Sequence, residues 1–204
     1  MKSLRFILSA TFVLASVMKA VNIHSFASEI RMYIDAYMSE WLEALVMPLA
    51  IVVCSLELWV GLLAWRQRYV MVTSVMFAVM MSFFVYLTGL NLFFPTIMGS
   101  IESCGCFGEL VHFSPFASFV KSAVLWVLAI ILLGYCVRLD IWHDAVAMIK
   151  DWRVYAVGMM SVVLPVFSIM FFEVLDHTMY IIVYVGVLSV MLLSYVFVYV
   201  RHEK

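Results

Sequence analysis

The stretch SIESCGCFGELVHFSP, residues 100–115, carries Cys104 and Cys106 with only Gly105 between them, and it lies between two strongly apolar runs. Two thiols this close form a disulfide only in a very small ring, whose alpha carbons must come within about 7 Å while the S–S torsion stays near a right angle. Such a bond is strained, and strained disulfides are the more readily reduced ones. Gly105 lacks a β-carbon and can take the unusual dihedrals such a turn needs. So local a crosslink removes little entropy from the unfolded chain, because that contribution grows with loop size. The chemistry suited to the pair is thiol–disulfide exchange rather than structural stapling.

Zinc is the competing use of such residues. Cys104, Cys106 and His112, with Glu109, are ligand types, but structural zinc sites space their thiolates as C-x2-4-C and add a second matching pair. That second pair is missing from the sequence, so no metal is expected. The remaining cysteines, Cys54 and Cys136, fall inside long apolar runs and are expected to be buried as small apolar side chains.

Three ionisable residues within or at the edge of apolar runs join the candidates: Lys19, Glu57 and Lys121. A charge in hydrocarbon costs at least about 2.5–3.5 kcal/mol on insertion scales and marks a functional suspect. Lys19 and Lys121 each stand about one helical turn from the end of a run, near enough for the ammonium to reach the headgroup level. Either could instead approach Cys104 or Cys106 and favour its thiolate. Glu57 lies about 16 Å deep at 1.5 Å per residue, so it needs a donor such as Lys19, a Ser or a Tyr, or else it handles a proton. Gly61, one turn later on the same face, allows a neighbouring helix to come close.

The elements that position these residues are set by the solvent. The 204 residues are 67% hydrophobic and 12% charged, with a net charge of -1, against about 45–50% apolar and about 25% charged in globular domains. No clustered basic surface of the kind that phosphate contacts need is present, which excludes nucleic acid as a partner. Six runs, at 4–22, 46–65, 70–91, 116–137, 154–172 and 179–200, meet the length of about 20 apolar residues that a bilayer crossing requires. They are continuous rather than alternating, which excludes a barrel. The expected fold is an all-α integral membrane bundle of six transmembrane helices.

Lys2, Arg5, Arg66, Arg68, Arg138, Lys150, Arg153, Arg201 and Lys204 all fall at one side of these spans, with Arg31 alone in an opposite loop. By the positive-inside rule both termini are cytoplasmic. The Cys-Gly-Cys loop is then periplasmic in a bacterial inner membrane, on the oxidising side where disulfides persist. Residues 1–17 also have the layout of a secretory signal, but the cleavage-site pattern is poor around HSFAS and Lys19 interrupts the segment, so the first run is read as a retained span. Between the first two spans, Ile23, Phe26, Ile30, Ile34, Tyr37, Trp41 and Leu45 recur every three or four positions, which predicts an amphipathic helix over 23–45 that lies on the outer surface or folds over the bundle. Ser114 and Pro115 read as the N-cap and first residue of the fourth span.

Lys19, the LELWVG segment with Glu57 and Gly61, and SCGCFGE before the fourth span resemble the methylamine utilisation protein MauE family, within the wider DoxX-like redox-associated membrane proteins. The likeness covers roughly residues 3–137 and implies a four-helix membrane domain over 1–140; the C-terminal transmembrane hairpin expected over 141–204 lies outside that pattern. It further implies a part in disulfide formation or maturation of methylamine dehydrogenase beside a periplasmic thioredoxin-like protein. DoxX-type relatives are linked to quinone. The expected function is thus a membrane thiol–disulfide redox protein working through Cys104 and Cys106, supported by Gly105, Lys19, Lys121 and Glu57. The alternative is a non-enzymatic membrane scaffold or assembly accessory in which the Cys-Gly-Cys stretch is a structural turn.

Overall fold

The computed structural model describes residues 2–37, 40–65, 69–94, 114–136 and 141–171, together with positions 182, 186 and 189. These residues form helices: α1 Lys2–Val21, α2 Ile23–Tyr37, α3 Val46–Trp65, α4 Val70–Phe93, α5 Pro115–Cys136, α6 Ile141–Lys150 and α7 Trp152–Phe171, with a 3-10 turn Glu40–Leu45 leading into α3. No strand occurs among the described residues. Five elements are long and apolar enough to cross a bilayer: Ser3–Val21, Trp41–Trp65, Val70–Phe93, Pro115–Cys136 and Trp152–Ile169. They match the first five expected spans to within a few residues at most ends. The sixth, 179–200, lies outside the described residues.

In lipid, the hydrophobic effect does not drive helices together, so close packing and polar contacts must do it. α1 and α3 show how. Ser9 donates to the Gly61 carbonyl at 2.6 Å and Ser16 to the Cys54 carbonyl at 2.7 Å, which makes the two helices antiparallel. At their crossing Gly61 presents no side chain, and a β-carbon there would stand 2.7 Å from Val13 Cγ2. α4 and α5 pair in the same antiparallel sense: Trp126 donates to Ser82 at 2.8 Å, and Phe93 meets Phe119 edge-on with centroids 5.7 Å apart. Leu8, Phe12, Val60, Phe77, Met81, Ala129 and Leu132 join the four helices in one core.

The amphipathic segment is α2 followed by the 3-10 turn, rather than one helix over 23–45. Regular α-helix begins at Val46 within the Trp41–Trp65 span, and Pro48, which lacks a backbone donor, is tolerated in that first turn. α2 turns Ile23, Ala27 and Ile34 onto Val46 and Ala50 of α3, and so folds over the bundle. Trp41, in the 3-10 turn, is 72% exposed. α4 runs past the expected stop at Asn91, whose side chain is buried, to Phe93, and Phe94 N–H caps it on the Leu90 carbonyl. Ser114 and Pro115 act as expected, the serine hydroxyl accepting Ala117 N–H at 3.3 Å.

α7 packs on α3, α1 and α2. The Trp59 indole donates to the Val154 carbonyl at 3.1 Å, over the gap left by Gly158, and Ser168 donates to the Val21 carbonyl at 3.1 Å. Trp59→Phe keeps an aromatic ring but loses the indole donor and part of the packing at Gly158. It is expected to lower unfolding stability in detergent by about 0.5–1.5 kcal/mol, checked by a denaturant titration against the parent chain.

Candidate functional site

Antiparallel α1 and α3 bring together two residues 38 positions apart in the chain: Lys19 Nζ donates to Glu57 Oε1 at 2.6 Å, and each side chain is only 2% exposed. The lysine ammonium also stands over two rings, 5.0 Å from the Phe26 centroid and 4.9 Å from that of Phe84. α2 supplies the first ring and α4 the second. Lys19 therefore turns inward instead of reaching the headgroup level. The depth of Glu57 explains this: a carboxylate that cannot reach water needs a close donor, because a buried charge left unpaired is far costlier than one held in a hydrogen-bonded pair.

Lys121 of α5 comes to the same place. It lines, with Lys19 and Glu57, a cavity of about 30 Å³ among α1, α3, α4 and α5, closed by Thr11, Phe12, Ala15, Met81, Phe84, Ser122 and Leu125. That volume admits a water-sized group, since about 10–15 Å³ suffices for one water. Two amines, a carboxylate and two hydroxyls around so small a space can bind and orient one hydrogen-bonding group inside an otherwise apolar bundle.

Phe84, Ser9 and Ser16 escaped the sequence reading. Phe84 carries no signal, being one aromatic residue in an apolar run. The serines do: Ser9, Ser16 and Lys19 are spaced by seven and three, one face of a helix. Cys104, Gly105 and Cys106 lie outside the described residues. The residues that flank them, Phe94 at the end of α4 and Ser114 at the start of α5, stand at the same end of the bundle as the C-terminus of α1, two residues from Lys19. Cys54 and Cys136 are free thiols with no exposed surface. Among the described residues no cluster of three His, Cys, Asp or Glu side chains could hold a metal.

The family model described as methylamine utilisation protein MauE matches residues 1–135. The chain belongs to the MauE family. The matched length ends within α5, so the MauE region contains α1–α5, including Lys19, Glu57, Lys121 and the cavity they line. α6 and α7 follow it. Membership makes this a multi-pass membrane protein of the methylamine utilisation class. Comparison with curated proteins and with solved structures returned no match.

Proposed function

We propose that the protein is a thiol–disulfide exchange partner in a bacterial inner membrane, with both termini cytoplasmic and Cys104 and Cys106 on the periplasmic side, acting on a thioredoxin-like protein. The observation that carries the reading is the burial of the other thiols. Cys54 and Cys136 are fully enclosed within α3 and α5, so any exchange with another protein falls to Cys104 and Cys106. MauE membership and the tight Cys-Gly-Cys spacing support it further.

In the exchange, a thiolate of the partner attacks one sulfur of the Cys104–Cys106 disulfide. A mixed disulfide forms as the internal S–S bond breaks, and the second cysteine leaves as a thiolate. The partner's other thiolate then attacks the mixed disulfide, and the partner departs oxidised. Two electrons and two protons pass to the cysteine pair, which ends as two thiols. The reverse sequence uses the same steps, with direction set by the two reduction potentials. Gly105 allows the turn, and Lys121, near the start of α5, carries a further positive charge in the half of the bundle from which the loop emerges.

Cys104→Ser and Cys106→Ser each leave one sulfur of the pair. At least one variant is expected to accumulate a reductant-sensitive adduct with a thioredoxin-fold protein, and both should lose oxidation or reduction of that protein by the purified chain. Absence of an adduct in both variants, with the chain's cellular function intact in each, would leave the scaffold reading in its place.

A further inference from the structure

α6 was not anticipated from the sequence, and its surroundings show what it does. Its ten residues extend about 15 Å, half of the roughly 30 Å of hydrocarbon, yet it joins two helices that are long enough to cross, α5 and α7. It is therefore held at a membrane boundary. At about 100° per residue its side chains divide into three arcs. Ala147 and Met148 pack on the cluster of Leu63, Tyr69 and Val154, and Asp144 on the same side accepts Met71 N–H at 2.9 Å. His143 and Lys150 form a second, exposed arc. The third is apolar and exposed: Ile141, Trp142, Val146 and Ile149, from 37% at Ile141 and 47% at Val146 to 63% at Ile149 and 78% at Trp142.

That apolar arc continues into Trp152 and Tyr155, exposed at the start of the α7 span, so it adjoins a surface that faces lipid. The same end of the bundle carries cations. Lys150 of α6 and Arg153 of α7 are both exposed here. Among the described residues here, Asp144 accepts Met71 N–H, and Asp151 accepts the Tyr69 hydroxyl at 2.7 Å and Arg153 N–H at 3.0 Å.

We propose that α6 is an interfacial helix whose Trp142, Val146 and Ile149 face enters the headgroup and upper acyl region, and whose cationic margin selects anionic phospholipid headgroups. Apolar burial and attraction to anionic lipid reinforce one another in such a helix. Through Asp144 and Asp151, the lipid-seated helix also holds the start of α4 at Tyr69 and Met71.

The test uses the full chain in nanodiscs, with Cys104→Ser and Cys106→Ser so that a fluorophore attaches only at Val146→Cys or, as a control, at His143→Cys. Cys54 and Cys136, with no exposed surface, stay unlabelled. The position 146 label should be quenched several-fold more by spin-labelled lipid than by an aqueous quencher, and the position 143 label should show the reverse. Spin-labelled phosphatidylglycerol should outcompete phosphatidylcholine at position 146, with the preference falling about fivefold for each of Lys150→Gln and Arg153→Gln. Aqueous quenching at 146 equal to that at 143 would overturn the interfacial placement. Shielding of 146 from both quenchers would mean a protein covers the face, which also overturns it. Lipid quenching with no preference for phosphatidylglycerol would overturn the headgroup selection.

Discussion

Lys19→Met is expected to cost the bundle about 3–5 kcal/mol, the range seen when one member of a buried ion pair is removed. The substitution leaves the Glu57 carboxyl, 2% exposed and over ten residues into α3, without its close ammonium, and it must take a proton or draw water into the core. It also empties the space between Phe26 and Phe84, each of which holds the ammonium at about 5 Å in contacts worth about 0.5–2 kcal/mol. Lys19→Met with Glu57→Leu removes both charges together. Replacing a buried pair by apolar residues of similar volume is often neutral or stabilising, so the double variant should recover most of the loss. Denaturant titrations of the four chains of this cycle in one detergent give the coupling. If the double variant falls by the sum of the two single losses, the pair does not act as a unit. The same four chains separate architecture from chemistry: a stable double variant that still exchanges disulfides assigns the pair to packing, and one that is stable but slow assigns it to the reaction.

Gly61→Ala is expected to be the second most damaging single change, at about 1–3 kcal/mol. The added β-carbon would stand 2.7 Å from Val13 Cγ2, 3.1 Å from Val13 N and 3.3 Å from the Ser9 carbonyl oxygen. None of these is the tip of a flexible chain: one is a stiff β-branched methyl and two are backbone. α1 and α3 must separate, which stretches the Ser9 bond to the Gly61 carbonyl and the Lys19 bond to Glu57. Gly134→Ala is the matched control. Nothing lies within 4 Å of its β-carbon, and alanine is the better helix former by about 1 kcal/mol, so the midpoint should stay or rise. Equal loss at both positions would show that the effect at Gly61 is not one of helix approach.

Several features were readable before any coordinates. The long apolar runs require helices, because in lipid each backbone donor and acceptor must be satisfied within its own segment. The Ser114–Pro115 start of α5 was legible because capping is a local matter of one hydroxyl and one missing N–H. Gly61 was legible as a point of close approach, although which helix approaches it was not. The helix over 23–45 was legible as amphipathic, but the 3-10 turn at Glu40–Leu45 was not, since the same apolar spacing fits either kind of helical turn. α6 went unseen because it is short and sits among charged residues that read as a loop.

The sequence by itself determined the solvent, the helical class and the depth of each ionisable residue along its span, since length and hydropathy act along the helix axis. Only the tertiary structure decided which way those residues turn around that axis. α3 and α4 are apolar on nearly every side, so no hydrophobic face tells which neighbour each meets. Small residues and polar contacts settle it: Gly61 admits α1, the serines at 9 and 16 lock the register, and Lys19 is thereby delivered to Glu57, with Lys121 at the same cavity. A lysine that hydropathy alone would send to the membrane surface becomes a buried partner, because the carboxylate beside it has no other way to be charged.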